Sequence, residues 1–188
     1  GTGVLVGHEY YDSRSAYLFA SKSKMFSDEN LELGGAVVDG KSAYSYKARY
    51  NNEGYFGRVQ YDYDSRIFGS ASYRRDASSR FHPDNRWGSF WSVGGNWRVS
   101  KEKFMQDIKW IDNLSLKASY GEQGNDALGS YYLWQNLYAL GYNNGNNIGA
   151  VVSTLENKNI SWEKSGNLNI GIEGSLLNRL VDFSIEYY

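Results

Sequence analysis

The sequence predicts an all-β protein built from about seven long antiparallel strands. Two observations predict it. Apolar and polar residues alternate over long stretches, and side chains that alternate along a strand point to opposite faces of a sheet. The connections between these stretches are short at one end of the predicted sheet and long at the other.

The clearest strand pair lies at residues 53–65 and 66–75. Tyr55, Val59 and Tyr61 alternate with Arg58 and Gln60. A short polar turn at residues 64 and 65 follows, and the next stretch alternates in the same way. This arrangement predicts a β-hairpin with one apolar and one polar face.

The same one-sided pattern recurs four more times. The apolar members are Trp91, Val93, Trp97 and Val99; Leu114, Leu116, Ala118 and Tyr120; Leu168, Ile170 and Ile172; and Val181, Phe183, Ile185 and Tyr187. Residues 2–11 alternate less cleanly, since neither face there is purely polar.

Strand length and aromatic placement favour a membrane-crossing sheet. The strands are predicted to hold about 9 to 11 residues, the length that crosses a bilayer at a tilt. Strands of soluble proteins average nearer 5 or 6 residues. Tyrosines and tryptophans cluster near the strand ends, as in the aromatic girdles of membrane barrels.

The loops also sort by length. Residues 64–65 and 177–179 form short turns, and residues 100–112 have room for a helical turn or two. The alternate connections are long and cover residues 12–52, 75–87 and 121–161. Outer-membrane barrels have short periplasmic turns and long extracellular loops. The fold class predicted is therefore an antiparallel transmembrane β-barrel segment.

Composition excludes several other classes. A net charge of -1 gives no electrostatic reason to expect nucleic acid. The chain has no cysteine, so disulfides and thiolate metal sites are impossible within it. It begins with glycine and stops inside an alternating stretch, so we expect it to be an internal piece of a longer protein.

Within the charged stretch "RRDASSRFHPDNRW" at residues 74–87, residues 75–86 are predicted to form an extracellular loop between two membrane-crossing strands. Serine, proline and asparagine supply turn signals within it. We expect Arg75 or Arg80 to pair with Asp76 or Asp84, and Phe81 and Trp87 to pack over the base of the loop.

Several motifs resemble the SusC/RagA-type TonB-dependent outer-membrane transporters. They are the RRDxSSRF core, the RWGxFxSV run that follows it, "NWRVSKEKF" and "SWEKS". The family-motif loop contains Arg74, Arg75, Asp76, Ser78, Ser79, Arg80 and Phe81. The resemblance covers most of residues 50–188, and residues 1–49 match more loosely.

This resemblance implies the partners. Family members are barrels of about 22 strands that enclose a plug domain. They import glycans or peptides beneath a SusD-like lipoprotein lid, powered through TonB. Residues 1–188 would then be a partial barrel domain in the outer membrane of a Gram-negative bacterium, without the plug or the remaining strands. No nucleic-acid partner is implied.

Two sets of site residues are predicted. Aromatic rings stack on sugars or peptides and amides bond to them, so the loop at residues 130–150 supplies ligand-contact candidates. These are Tyr131, Tyr132, Trp134, Tyr138, Tyr142, Asn143 and Asn144. The lumen-facing candidates are Arg58, Arg74, Arg98 and Lys117. The alternative for the loop is that its rings pack on the loop itself or against the lid protein. The alternative for the four cations is that they pack against the plug or hydrate the barrel interior.

No catalytic, metal or cofactor site is predicted. His8 and Glu9 are neighbours in a strand and point to opposite faces, and His82 lies in the charged loop. The glycine-rich stretches are not followed by a helix that would bind phosphate. The sequence is also compatible with two other functions, a soluble carbohydrate-binding β-sandwich and a passive porin without a plug.

Overall fold

The computed structural model describes residues 1–29 and 31–188, with the side chains of residues 41 and 42 excepted. Most of these residues form one seven-stranded sheet, whose strand order is β1-β2-β3-β4-β5-β8-β9. Its strands are β1 (Thr2–Met25), β2 (Ala36–Tyr63), β3 (Ile67–Ser78), β4 (Trp87–Arg98), β5 (Ile111–Asn125), β8 (Glu163–Leu176) and β9 (Val181–Tyr187). The pairs from β2 to β9 are all antiparallel.

The connections between these strands carry little other structure. A separate two-stranded sheet pairs β6 (Leu137–Leu140) with β7 (Ala150–Thr154). Short 3-10 turns lie at Leu33–Gly35, Val99–Lys101 and Lys103–Met105, and the last two confirm the turns expected in residues 100–112. Among the described residues, no helix is long and apolar enough to span a membrane.

The register confirms the predicted faces. Ala71 pairs with Val59 on one side and with Val93 on the other. Val93 continues to Tyr120 on β5, which pairs with Leu168 on β8. Residues paired across a sheet share a face, so apolar side chains form an unbroken surface from β2 to β8.

That apolar face is uncovered. Trp91 is 43% exposed, Val93 49% and Ile170 50%, and Phe183 is partly exposed. A β-sandwich would bury such a face against a second sheet. Only the small β6–β7 sheet exists besides the main one in the described residues, so the sandwich alternative is wrong.

Residues 12–52 were predicted as a long loop, and this prediction is wrong. They continue β1 and β2 as a β-hairpin, and residues Asp12–Asn51 form a compact unit of their own. The error arose because neither face of this segment is purely apolar or purely polar: serines share one face with the rings, and Ala16 and Leu18 share the other with charged residues.

The other strands are somewhat longer than predicted. The strands β3 and β4 each have 12 residues, β5 has 15 and β8 has 14, whereas β9 has 7. The extra residues lie at the ends near the long connections, which shorten to residues 79–86 and 126–162. Polar residues there keep the strand pairing, so hydrophobicity alone did not reveal it.

The short turns contain residues with left-handed backbone conformations. Asp64 and Ser65 have φ values of 54° and 50°, the positive values that the two central residues of a type I′ turn require, and the amide of Arg66 donates to the carbonyl of Tyr63 at 2.9 Å. The amide of Ser65 also donates to Oδ1 of Asp62 at 2.7 Å. In the β8–β9 turn, Leu177, Asn178 and Arg179 have φ values of 57°, 58° and 61°.

Replacing Ser65 by glycine is expected to stabilise the barrel by up to about 1 kcal/mol, because glycine adopts positive φ without steric cost. The temperature at which the full-length protein loses its folded mobility in a denaturing gel should rise. The control is Ser70→Gly within β3, which we expect to lower this temperature. A lower temperature for Ser65→Gly would show that its backbone strain is negligible.

Candidate functional site

The polar face of the sheet is its concave face. A trough of about 660 Å³ lies along it, and it contains polar side chains from β2, β3, β4, β5, β8 and β9. These are Gln60, Asp62, Ser70, Asn96, Lys117, Ser119, Asn169 and Glu186. The sheet therefore curves around its hydrophilic side, as the wall of a barrel with a polar interior does.

All four predicted lumen-facing cations lie on this face, but they do not form one site. Arg58 pairs in register with Ser72, and Lys117 pairs with Asn96. Arg74 lies nearer the long connections, whereas the guanidinium of Arg98 lies 5.9 Å from the ring centre of Phe68. They are spread along the face instead of converging on a ligand.

Two of these cations belong to ion clusters. Nε of Arg74 lies 2.7 Å from both carboxylate oxygens of Asp76, and its Nη2 donates to Oε2 of Glu9 at 2.9 Å. Lys117 bridges Glu186 of β9 and Glu173 of β8, the latter at 3.4 Å. Arg74 thus reaches from β3 to β1 across β2, and Lys117 links β5 to its neighbour β8 and, across β8, to β9.

The predicted pairing in the charged loop is wrong. Asp76 binds Arg74, and Asp84 lies 3.3 Å from the ring of His82. Arg75 instead places its guanidinium 5.2 Å from the ring centre of Trp87, so it makes a cation–π contact. Sequence proximity misled the prediction because adjacent strand residues point to opposite faces.

The charged loop anchors the long β5–β8 connection. Oγ of Ser78 donates to Oδ2 of Asp126 at 2.7 Å, and Nη1 of Arg80 donates to the carbonyl of Asp126 at 2.7 Å. Further along, Nδ2 of Asn85 donates to the carbonyl of Lys158 at 2.8 Å. Both ends of the long connection are thus bound to the β3–β4 loop.

Buried aromatic rings hold the same junction together. Phe81 is completely buried, and its ring centre lies 5.5 Å from that of Trp162. Phe90 lies edge-on to Trp162 at 5.3 Å, and Nε1 of Trp162 donates to the carbonyl of Arg86 at 2.8 Å. We call this group of Ser78, Phe81, Phe90, Asp126 and Trp162 the loop anchor.

The predicted packing of the loop base is only partly as expected. Phe81 packs within the loop anchor. Trp87 lies on the opposite face and is 41% exposed beside Tyr55, at a ring distance of 6.2 Å. Asp126, Phe90 and Trp162 were missed, because their contacts are long-range and no local pattern indicates them.

Removing the Ser78 hydroxyl should loosen the loop anchor. Ser78→Ala deletes a buried hydrogen bond to a carboxylate, which is worth about 1.5–3 kcal/mol. Hydrogen exchange of residues 126–136 in the full-length protein is expected to accelerate. Ser165→Ala, at an exposed position, serves as the control and should change nothing. Equal protection in both variants would mean that this hydrogen bond does not hold the loop.

Gly88→Ala is expected to displace the Trp162 ring. An added Cβ would lie 2.6 Å from Cζ of Phe90 and 2.7 Å from Cδ1 of Trp162. Overpacking of this kind costs about 1–3 kcal/mol. Gly69→Ala is the matched control, since no atom lies within 4 Å of its Cβ. Tryptophan fluorescence of the full-length protein should change for Gly88→Ala alone; identical spectra for both variants would contradict the packing.

The predicted ligand-contact residues divide into two groups. Tyr131 lies under the guanidinium of Arg80 at 5.0 Å and contacts Tyr132, and Trp134 contacts His82 at 5.6 Å. These rings pack the base of the long connection. The second group surrounds the β6–β7 hairpin.

In that second group, Tyr138 and Tyr142 are 60% and 61% exposed. Oδ1 of Asn143 accepts the amide of Gly149 at 3.0 Å, and Asn144 pairs with Asn147 across the hairpin tip. Both asparagines therefore shape the turn, and the two tyrosine rings are left facing outward.

Known proteins are similar to this chain in sequence and architecture. Residues 2–188 match the family model described as TonB dependent receptor-like, beta-barrel. The chain is 31% identical to TonB-dependent receptor P3 of Formosa agariphila, over 98% of this chain and 19% of that protein. It is 30% identical to TonB-dependent receptor SusC of Bacteroides thetaiotaomicron, over 77% of this chain and 15% of that protein.

A solved structure agrees with these relatives. The RagAB peptide transporter matches with a TM-score of 0.87 and 30% identity, over 98% of this chain and 21% of that chain. The chain thus spans about a fifth of the length of the proteins it matches. The names of these relatives describe receptors and a transporter. The chain belongs to the TonB-dependent receptor-like β-barrel family.

Proposed function

We propose that this chain forms part of the barrel wall of a TonB-dependent importer in the outer membrane of a Gram-negative bacterium. The observation that carries the proposal is the sheet itself, which has one uncovered apolar face and one concave polar face. Barrels in outer membranes present these two faces to lipid and to a hydrated interior. A plug and the TonB contact would lie in other parts of the protein.

The imported substrate would be a glycan or a peptide, delivered under a SusD-like surface lipoprotein that acts as a lid. The similarity to the RagAB peptide transporter supports the peptide class, and the resemblance of the motifs to SusC/RagA-type transporters supports the glycan class and the lid. Arg58, Arg74, Arg98 and Lys117 would face the hydrated interior. Their spread along the polar face favours contact with a plug over a single binding site.

Of the ligand-contact candidates, Tyr138 and Tyr142 are the ones whose rings are available to a substrate or lid. Tyr131, Tyr132 and Trp134 would act indirectly by holding the base of the long connection. Asn143 and Asn144 would set the shape of the hairpin tip.

The experiment is deletion of the full-length gene in its own host, followed by growth on peptides or on single glycans as the limiting nutrient. The proposal predicts loss of growth on one class, restored by the intact gene, and the same loss when TonB is inactivated. Purification of the tagged protein should recover a lipoprotein partner. Uptake that persists without TonB would favour the passive porin, and a soluble, detergent-free protein would contradict the barrel.

A further inference from the structure

The hairpin unit Asp12–Asn51 sorts its side chains by chemistry. One face carries a row of four aromatic rings, which we call the ring row: Tyr17, Phe19, Tyr44 and Tyr46. Tyr17 stacks on Tyr46 at 5.3 Å between ring centres and lies 5.7 Å from Tyr44. Phe19 extends the row, with its centre 5.4 Å from that of Tyr44.

The ring row is open to solvent. Tyr44 and Tyr46 are 53% and 56% exposed. By strand alternation, Ser13, Ser15, Ser21 and Ser23 share this face with the rings. No residue at a described position of this face between 13 and 23 or between 38 and 50 is charged. The surface thus offers only rings, hydroxyls and small side chains.

The charged residues lie on the opposite face. Nη2 of Arg49 and Nη2 of Arg14 both bind Oδ2 of Asp12, at 3.1 Å and 3.0 Å. Nζ of Lys22 binds Oδ1 of Asp39 at 3.3 Å. The opposite face therefore holds these ion pairs together with Ala16, Leu18 and Ala20.

Hairpin stability does not account for this separation. Cross-strand aromatic pairs stabilise a sheet, and so do cross-strand charge pairs, by about 0.2–1 kcal/mol each. Either kind of pair works on either face of a hairpin exposed on both sides. The absence of charge from one face is therefore better explained by the molecule that this face contacts.

We infer that the ring row is a binding platform for an uncharged oligosaccharide. Ring faces stack on the apolar faces of sugars, and serine and tyrosine hydroxyls exchange hydrogen bonds with sugar hydroxyls. A charged ligand would find no counter-charge on this face. Hydrocarbon would leave the serine and tyrosine hydroxyls of this face without hydrogen-bond partners, which disfavours lipid.

This inference rests on the proposed function, and it selects the glycan over the peptide as the substrate class. A peptide or a partner protein is the competing occupant, because tyrosine and serine also suit protein contacts. The test is therefore designed to separate sugars from peptides.

The experiment is calorimetric titration of the detergent-purified full-length protein with maltoheptaose, cellohexaose and mannohexaose, and separately with a tryptic casein digest. The variant is Tyr44→Ala with Tyr46→Ala. Its matched control is Ser45→Ala with Lys47→Ala, which alters the alternate positions of the same strand on the opposite face. Tyr44→Phe with Tyr46→Phe keeps the rings and removes the hydroxyls.

We expect at least one of the three oligosaccharides to bind, the double alanine variant to lose about tenfold or more in affinity, and the control to be unchanged. The phenylalanine variant should keep most of the affinity. Hydrogen exchange over residues 12–51 checks that the hairpin persists in each variant. If the alanine variant loses the hairpin, the affinity of a Tyr46→Leu variant, which removes one ring, is compared with that of the phenylalanine variant, which keeps both rings.

Binding of the peptide digest alone, binding of none of the three sugars, or equal losses in the variant and its control would each overturn the inference. The proposed function fails in a different way, by the absence of TonB-dependent uptake. If uptake depends on TonB but the ring-row variants bind sugars as the parent protein does, only the inference about the ring row is refuted.

Discussion

Val93→Arg and Ile170→Arg should each prevent the full-length barrel from assembling in the outer membrane. Both residues lie on the uncovered apolar face, near the middle of β4 and β8. Arginine on the lipid face near the bilayer midplane costs about 2–4 kcal/mol. The folded, heat-modifiable band should fall sharply in outer-membrane fractions. Phe183→Arg on β9 is expected to act in the same direction.

The neighbouring residues supply the controls for this experiment. Ser92, Asn169 and Ser184 are next in sequence to the three targets and lie on the polar face. Arginine at each should leave the folded band near its normal level, because that face meets water. Equal sensitivity at both sets of positions would show that the sheet has been oriented incorrectly.

Phe81→Ala should free the long β5–β8 connection while leaving the barrel assembled. Phe81 is fully buried against Trp162, and truncating a buried phenylalanine costs about 3–5 kcal/mol. The loss should fall on the loop anchor, because the strands on either side keep their pairing. Limited proteolysis of the full-length protein is expected to cleave within residues 126–162 far faster than in the parent.

Phe104→Ala is the matched control, since Phe104 is 65% exposed and lies in the connection between β4 and β5. It should leave cleavage of residues 126–162 unchanged. Trp162→Ala should reproduce the effect of Phe81→Ala, because it removes the other half of the contact. If cleavage stays slow in both anchor variants, the polar contacts at Asp126 and Asn85 hold the connection without the rings.

The sheet was predictable from sequence because strand alternation is local. Each stretch such as residues 89–99 displays its two faces within a few residues, so the apolar surface could be assigned before any pairing was known. The hairpin at residues 12–52 was missed because each of its faces mixes apolar with polar residues. The β6–β7 hairpin was missed because its strands have only 4 and 5 residues.

The loop anchor was beyond sequence reasoning for a different reason. Ser78 and Asp126 are separated by 48 positions, and Trp162 and Arg86 by 76. Nothing local distinguishes Asp126 from other loop aspartates. The "SWEKS" motif marked Trp162 only as part of a resemblance, and the structure assigns it a contact with Phe81 and Phe90.

The candidate binding residues were predicted from composition, so the prediction did not separate packed rings from exposed ones. Aromatic and amide side chains at residues 130–150 looked alike in sequence, yet Trp134 packs against His82 while Tyr138 faces solvent. Aromatic content shows that rings are present, but only packing shows which rings remain available.

We propose that the apolar face of this sheet meets lipid and that the polar face meets water. Spin labels placed singly at Val93, Ile170 and Ile185, and at their neighbours Ser92, Asn169 and Ser184, test it directly in the full-length protein in membranes. We expect the first three labels to collide with dissolved oxygen and the second three with a water-soluble nickel complex. Equal behaviour of the two sets, or shielding of the first three labels from both reagents, would contradict this orientation of the sheet.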